Sequence, residues 1–440
     1  MAIMIPEILC LICSFLDIKD VRRFRLCCRA FADAGACFVH NEVVFYLHPT
    51  DLEMLRTISL HPIASKNVLS LVYVGLTMER ASEYSTADTR KMNLYEFCGH
   101  LAIVKTREAM ARRQFGLPTT KIDLDQFVVP YKNYDATVAQ QEKILQENAD
   151  ISCIEEAVSR FPSLEEVTMA SGTWSRKGKR KTPFDSCMVI PGEFLLPEGC
   201  RQLDSLLSAV YKANIKLRKL TVGSFSWKFF QKPPAELSRA LSPCSELTCL
   251  ELCIDTASDL VGDPADGAEV THCQRLMETG LLRDFIKSLH ALQTLHVIFQ
   301  WYSNENSYTP RLEEVIEPRH RWEHLDSLTL GNIKCERQDL MSLLRRHRST
   351  LKELCLRDIS LRSTSWQALL PKIRKWLVLD VACVCGELSG HGEGKPYEEY
   401  WDLSYPDERS NSALRYRVND YLVNDTVKRC PLHERNIYSD

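Results

Sequence analysis

The chain has 440 residues, 45% of them hydrophobic and 26% charged, and its 55 Lys and Arg against 58 Asp and Glu leave a formal charge of -3. This composition excludes a disordered or bilayer-embedded chain and a whole-protein field able to hold nucleic acid or an anionic membrane. A single core rarely extends to this length, so at least two parts are expected. The 18 cysteines run from Cys10 to Cys430 without the dense spacing of small secreted frameworks, which points to reduced thiols and a cytoplasmic or nuclear protein.

The first predicted element is a helix. Ile8, Leu9, Ile12, Phe15 and Leu16 recur at helical spacing, and Cys10, Leu11 and Cys13 fill much of the remaining circumference. Such a helix is not left facing water. It starts with Pro6 and Glu7, lacks a basic stretch before it, and falls short of the about 20 apolar residues a bilayer span needs, so it reads as neither signal peptide nor membrane span. A second helix is expected near Asp20, capped by Asp17 or Asp20 and carrying Val21, Phe24, Leu26 and Cys28 with Arg22, Arg23, Arg25 and Arg29 between them. A third short segment holds Phe31 and Phe38. About forty residues do not enclose a stable core alone, so the surplus apolar face predicts either a second polypeptide or packing on the rest of this chain.

Ile5-Pro-Glu-Ile-Leu-Cys-Leu-Ile-Cys-Ser-Phe-Leu16, followed by Asp20-Val21 and Arg25-Leu-Cys-Cys-Arg-Ala-Phe31, resembles the F-box. The resemblance covers residues 1–40 and implies a three-helix module that inserts into the Skp adaptor of an SCF-type (Skp, cullin, F-box) ubiquitin ligase, and through it joins a cullin-RING assembly. By the same resemblance Pro6, Ile8, Leu9, Ile12, Leu16, Val21, Leu26 and Phe31 form the adaptor interface. Relative to the family's usual opening, Pro6 stands one position late and Ile5 takes the proline's place.

Beyond residue 40 one pattern returns, apolar-x-x-apolar-x-apolar, the strand signature of leucine-rich repeats. Its copies are Leu164–Met169, Leu217–Val222, Leu247–Leu252, Leu292–Val297, Leu325–Leu330 and Leu351–Leu356, with Val68–Tyr73 and Trp376–Leu379 opening and closing the series. First leucines of successive copies from Leu164 onward stand 53, 30, 45, 33 and 26 residues apart, mostly longer than the usual repeat of about 20–29 residues. Amphipathic stretches between them, such as Leu281, Leu282, Phe285, Ile286 and Leu289, read as helices. The expected fold is therefore α/β: a short N-terminal three-helix module, then an irregular leucine-rich-repeat-like solenoid of alternating strands and helices over residues 41–440, with insertions. A doubly wound sheet is the alternative, but no Gly-x-Gly-x-x-Gly or Walker-type turn follows a strand. Gly223–Phe230, Ala413–Leu422 and Cys430–Leu432 also look like fungal F-box proteins.

Strand alternation puts the residue between the last two apolar positions on the opposite face. That assigns Thr221, Glu251, His296, Thr329 and Cys355 to a substrate-facing wall, with Lys219, Glu353 and Arg357 nearby, and no arginine cluster among them that would mark a phosphorylated target. Cys10-x-x-Cys13 lacks the strand a redox motif needs and reads as packing. Cys383-Val-Cys385 with Cys430 and His433 has the right ligand types for zinc but the wrong spacing; neither a metal nor a cofactor is expected. Arg176–Lys181 is the densest basic cluster and reads as a solvated loop, with nuclear import or an acidic partner as its functional alternative. No His-Glu-x-x-His or Gly-x-Ser-x-Gly is present. The sequence thus points to a non-catalytic substrate receptor whose target is an unidentified protein. The competing readings are a repeat scaffold outside any ligase and an enzyme hidden in the insertions at 255–275 or 384–412.

Overall fold

The computed structural model describes residues 5–39, 41–75, 77, 128–170, 182–187, 196–256, 266–300, 307–391, 398–403 and 411–433. The chain divides into two compact units. One comprises Met1–Leu164, Met169–Leu195 and Ser208–Ala213; the other comprises Glu165–Thr168, Leu196–Leu207 and Asn214–Asp440. The basic cluster at 176–181 lies outside the described residues, as do parts of both insertions considered for hidden catalysis. Among the described residues no helix is long and apolar enough to cross a membrane.

The first unit opens with three helices, α1 (Pro6–Ser14), α2 (Ile18–Phe24) and α3 (Arg29–Val39). Pro6 occupies the first helical position, where an N–H would lack an intrahelical acceptor anyway, so the late proline leaves the helix start intact. Asp17 caps α2, accepting the Asp20 N–H at 2.8 Å. Leu26 and Cys28, expected on this helix, lie beyond its end. Strand β1 (Glu42–Tyr46), helix α4 (Pro49–Leu60) and strand β2 (Ser70–Val74) follow, with β1 and β2 parallel. Phe45 stacks on Tyr73 with centroids 4.7 Å apart, and the Tyr73 hydroxyl donates to buried Asp150 at 2.9 Å. Helices Val128–Glu147 and Ala149–Val158 complete this core.

Strand β3 (Glu166–Ala170) precedes the strands of the second unit: β4 (Lys219–Ser226), β5 (Cys249–Asp255), β6 (Thr294–Phe299), β7 (Ser327–Gly331), β8 (Lys334–Cys335), β9 (Glu353–Arg357), β10 (Ser360–Leu361), β11 (Val381–His391) and β12 (Glu398–Leu403). Strands β4, β5, β6, β7, β9 and β11 pair in that order, all parallel. Helices such as Leu281–Ser288, Arg337–Arg346 and Trp366–Trp376 lie between successive strands in the chain, the crossover that parallel neighbours require. β10 joins β8 and β11 in parallel, and β12 adds to β11 antiparallel.

The apolar hexamers explain this order. Their leading leucines, Leu217, Leu247, Leu292, Leu325 and Leu351, are buried. After each of the last four, one hydrogen bond repeats: the next residue's N–H reaches the equivalent carbonyl one step back. Thr248 donates to Arg218, Gln293 to Thr248, Asp326 to Gln293 and Lys352 to Asp326, at 2.7–2.9 Å. The later apolar positions align as two buried rows, Leu220, Leu250, Leu295, Leu328 and Leu354, and Val222, Leu252, Val297, Leu330 and Leu356. Burying each side chain is worth about 1.5–3 kcal/mol.

The hexamer reading misplaces one strand and misses another. The closing copy at Trp376–Leu379 is misplaced, since Trp376 ends a helix and the strand begins at Val381. Its apolar positions are Leu379, Ala382 and Val384, with Ala382 aligned to Leu354; the small alanine hid the pattern. β1 went unforeseen because its leading position, residue 40, is a histidine.

Candidate functional site

Three surfaces carry chemistry that the fold alone does not use. The first is on the N-terminal helices. Cys13, Val21 and Val39 form their small core, with Leu16, Phe24 and Phe38 packed against it, and Phe24 stacks on Phe31 at 4.2 Å. Leu9 is buried as well. Gly35 makes room for this closeness, because a Cβ there would lie 2.4 Å from the Arg25 stem. Other apolar side chains are open: Ile5, Ile8, Leu11, Phe15, Ile18 and Leu26 are all exposed, Phe15 at 82% and Leu26 at 87%.

Of the residues expected at an adaptor, Pro6, Ile8 and Leu26 lie on the exposed surface, Ile12, Leu16 and Phe31 are half-buried, and Leu9 and Val21 are inside. Leu9 and Val21 therefore serve the helices' own cohesion in the free chain. Ile5, Leu11, Phe15 and Ile18 are open and were not singled out. Helix α1 carries two apolar stripes, Leu9 with Cys13 and Ile8 with Leu11 and Phe15, and spacing alone does not tell which one faces inward. The packing reading of Cys10 and Cys13 fits the buried Cys13, which lies against Val21 and Val39.

The second surface is the polar face of the parallel sheet. Register places Thr221, Glu251, His296, Thr329, Cys355 and Cys383 side by side on successive strands, so the five residues assigned to one wall do share one row. All six are half-buried. Lys219 pairs with Glu251 at 3.3 Å. His296 Nε2 meets Ser327 Oγ at 3.2 Å, and Ser327 donates to Glu353 at 3.0 Å. Burial holds the His296 imidazole below its usual range, against the pull of Glu251 and Glu353.

At the β9–β11 end the face turns to sulfur. Cys355 stands opposite Cys383, and Cys385 follows two residues along the same strand. The three sulfurs lie within 4.8 Å of one another, and no other such group of Cys, His, Asp or Glu occurs among the described residues. Hydrogen bonding with Cys355 and Cys385, with Arg415 beside it, holds the Cys383 thiol below its ordinary range, while hydrogen bonding with Cys383 and Cys385 pushes Cys355 up. Cys430, which the sequence offered beside Cys383 and Cys385 only as a disfavoured zinc set, does not join them; it is buried elsewhere in the unit.

A third feature escaped the sequence. Arg321, Arg345, Arg346 and Arg348, with Trp376, line an open cleft of about 830 Å³ on and around helix Arg337–Arg346. Arg345 lies over the Trp376 ring at 5.3 Å. Guanidinium groups in such numbers suit carboxylates or phosphates. The outward strand positions hold no such cluster; this one is assembled from a helix and its flanks. The segment Gly223–Phe230 is structural: the register shifts at Gly223, and Phe225, Trp227, Phe229 and Phe230 are all buried.

Residues 4–34 match the F-box domain. This is the stretch of α1, α2 and most of α3 whose outer side is open. F-box domains bind the Skp adaptor within cullin-RING ligases. No curated protein matches the chain.

Proposed function

We propose that the chain is the target-selecting subunit of an SCF-type ubiquitin ligase, in which the F-box helices dock a Skp adaptor and the repeated strand-helix units behind them hold a target protein. The observation that carries this reading is the coincidence of the F-box match with the exposed apolar side chains Ile5, Ile8, Leu11, Phe15, Ile18 and Leu26. An apolar surface of this kind, on helices this small, is what an adaptor would cover. The recurring hydrogen bond and aligned leucine rows support the leucine-rich-repeat-like reading of the second unit. Its polar sheet face and arginine cleft are the surfaces offered to a target. No catalytic group is required of such a subunit, since holding a target lysine near a charged ubiquitin carrier raises effective concentration. The reduced thiols fit an intracellular protein.

The test is co-purification of the full chain with a Skp adaptor. Phe15→Asp with Leu26→Asp should weaken adaptor binding by roughly 30-fold or more while circular dichroism stays unchanged, because both side chains face solvent. Leu9→Asp is a poorer probe, since it charges the helices' own core. An adaptor that ignores the wild-type chain, or binds the double variant equally well, would overturn the receptor reading.

A further inference from the structure

We propose that Cys355, Cys383 and Cys385 hold one soft, thiophilic metal ion, of the zinc(II) or copper(I) kind, on the polar face of the sheet. The site is built by strand geometry. Alternation along β11 sends Cys383 and Cys385 to the same face, and parallel register brings Cys355 of β9 opposite Cys383. All three sulfurs lie within 4.8 Å of one another, with Cys383 and Cys385 at 3.7 Å. A zinc–sulfur bond of about 2.3 Å puts two sulfurs of a tetrahedral site about 3.8 Å apart, so the ion would enter with little movement of the backbone.

A disulfide explains the arrangement less well. It would require a pair to close to about 2.05 Å and would leave the third sulfur, converging on the same point, without a role. Thiolates select zinc(II) and copper(I) among biological cations. On loading, each thiol gives up its proton, and three thiolates around a divalent ion carry one net negative charge. A cation is in place to balance it: the Arg415 guanidinium, from helix Asn411–Val423, lies 3.9 Å from the Cys383 sulfur. The same helix is fixed to β11 by Asn419, whose side-chain oxygen accepts the Val384 N–H at 2.7 Å. Cys355 and Cys383 are only half-buried, so the ion has a route in. A zinc ion would keep one position for water or for a donor from a bound protein.

The experiment uses the full chain, reduced and stripped of metal with a chelator. Zinc(II) and copper(I) are titrated separately against a competing chromophoric chelator, and alkylation of each cysteine is followed by mass spectrometry. One tightly bound equivalent of at least one ion is expected, lost in Cys383→Ser/Cys385→Ser with an affinity drop of roughly 100-fold or more and kept in Cys430→Ser. In the wild type, that ion should slow alkylation of Cys355 and Cys383, and the chelator should restore it; this arm decides the matter even if the double variant misfolds. Equal metal binding by wild type and a folded double variant, or alkylation of Cys383 that neither ion slows, would refute the site. Adaptor binding measured on the same variant keeps this outcome separate from the receptor reading.

Discussion

The N-terminal helices and the parallel sheet of the second unit use apolar residues in opposite ways. In the sheet, the leucines and valines of the two aligned rows are buried, and the polar positions between them carry the opposite face. In the helices, a small core around Cys13, Val21 and Val39 is accompanied by other apolar side chains that are uncovered. The difference separates side chains that stabilise the fold from side chains reserved for another molecule. Exposure, rather than hydrophobicity, makes the distinction.

The largest effect that would break this comparison lies in the sheet. Leu328→Ala, at a buried position on β7, should lower unfolding free energy by about 2–5 kcal/mol in urea titrations and leave the adaptor contact untouched in the fraction still folded. A loss below 1 kcal/mol would mean that the aligned rows are not the source of the sheet's stability. The next effect is smaller. Glu399 is buried and accepts from the Trp366 and Gln367 N–H groups at 2.5 and 3.2 Å and from the Trp401 indole at 2.8 Å. It thus satisfies two orphan donors at the start of helix Trp366–Trp376, where a negative charge is favoured. Glu399→Ala should cost about 1–3 kcal/mol, measured by the shift in urea midpoint.

A pH dependence follows from His347, which is buried, accepts the Trp322 N–H on Nε2 at 3.1 Å and places Nδ1 2.9 Å from the Leu343 carbonyl. Burial and neighbouring cations such as Arg321 hold its imidazole below the usual histidine range. Because the folded chain favours the neutral ring, its contribution is present above the unfolded value of about 6.5 and is lost as pH falls through the lower folded value. Thermal midpoints should fall between pH 7.5 and 5.5, and His347→Gln, which does not titrate, should flatten that slope. His48, His296 and His320 are lowered in the same sense, so part of the slope should remain.

How much of this was legible in the sequence follows from the signals involved. Strand positions and the shared row from Thr221 to Cys355 were readable because period-two alternation and a repeated hexamer fix register. Ala382 and the histidine at position 40 hid two strands, since the pattern depends on large apolar side chains at set positions. The open stripe of α1 was half legible: a helix apolar on nearly all sides shows that something must cover it, but not which stripe. The thiol cluster and the arginine cleft were illegible for another reason. Cys355 stands 28 positions before Cys383, and Arg321 stands 27 positions before Arg348; only the fold brings each set together.

The smallest expected effect sharpens the opening contrast most. Phe15 is the kind of residue whose loss from a core costs about 3–5 kcal/mol, yet it is 82% exposed and stabilises almost nothing where it stands. Phe15→Ser should therefore change unfolding free energy by no more than about 0.5 kcal/mol and still weaken adaptor binding, read by titration calorimetry on the same preparation. If stability drops by several kcal/mol instead, the ring is packed in solution, and the open stripe belongs to this chain's own core after all.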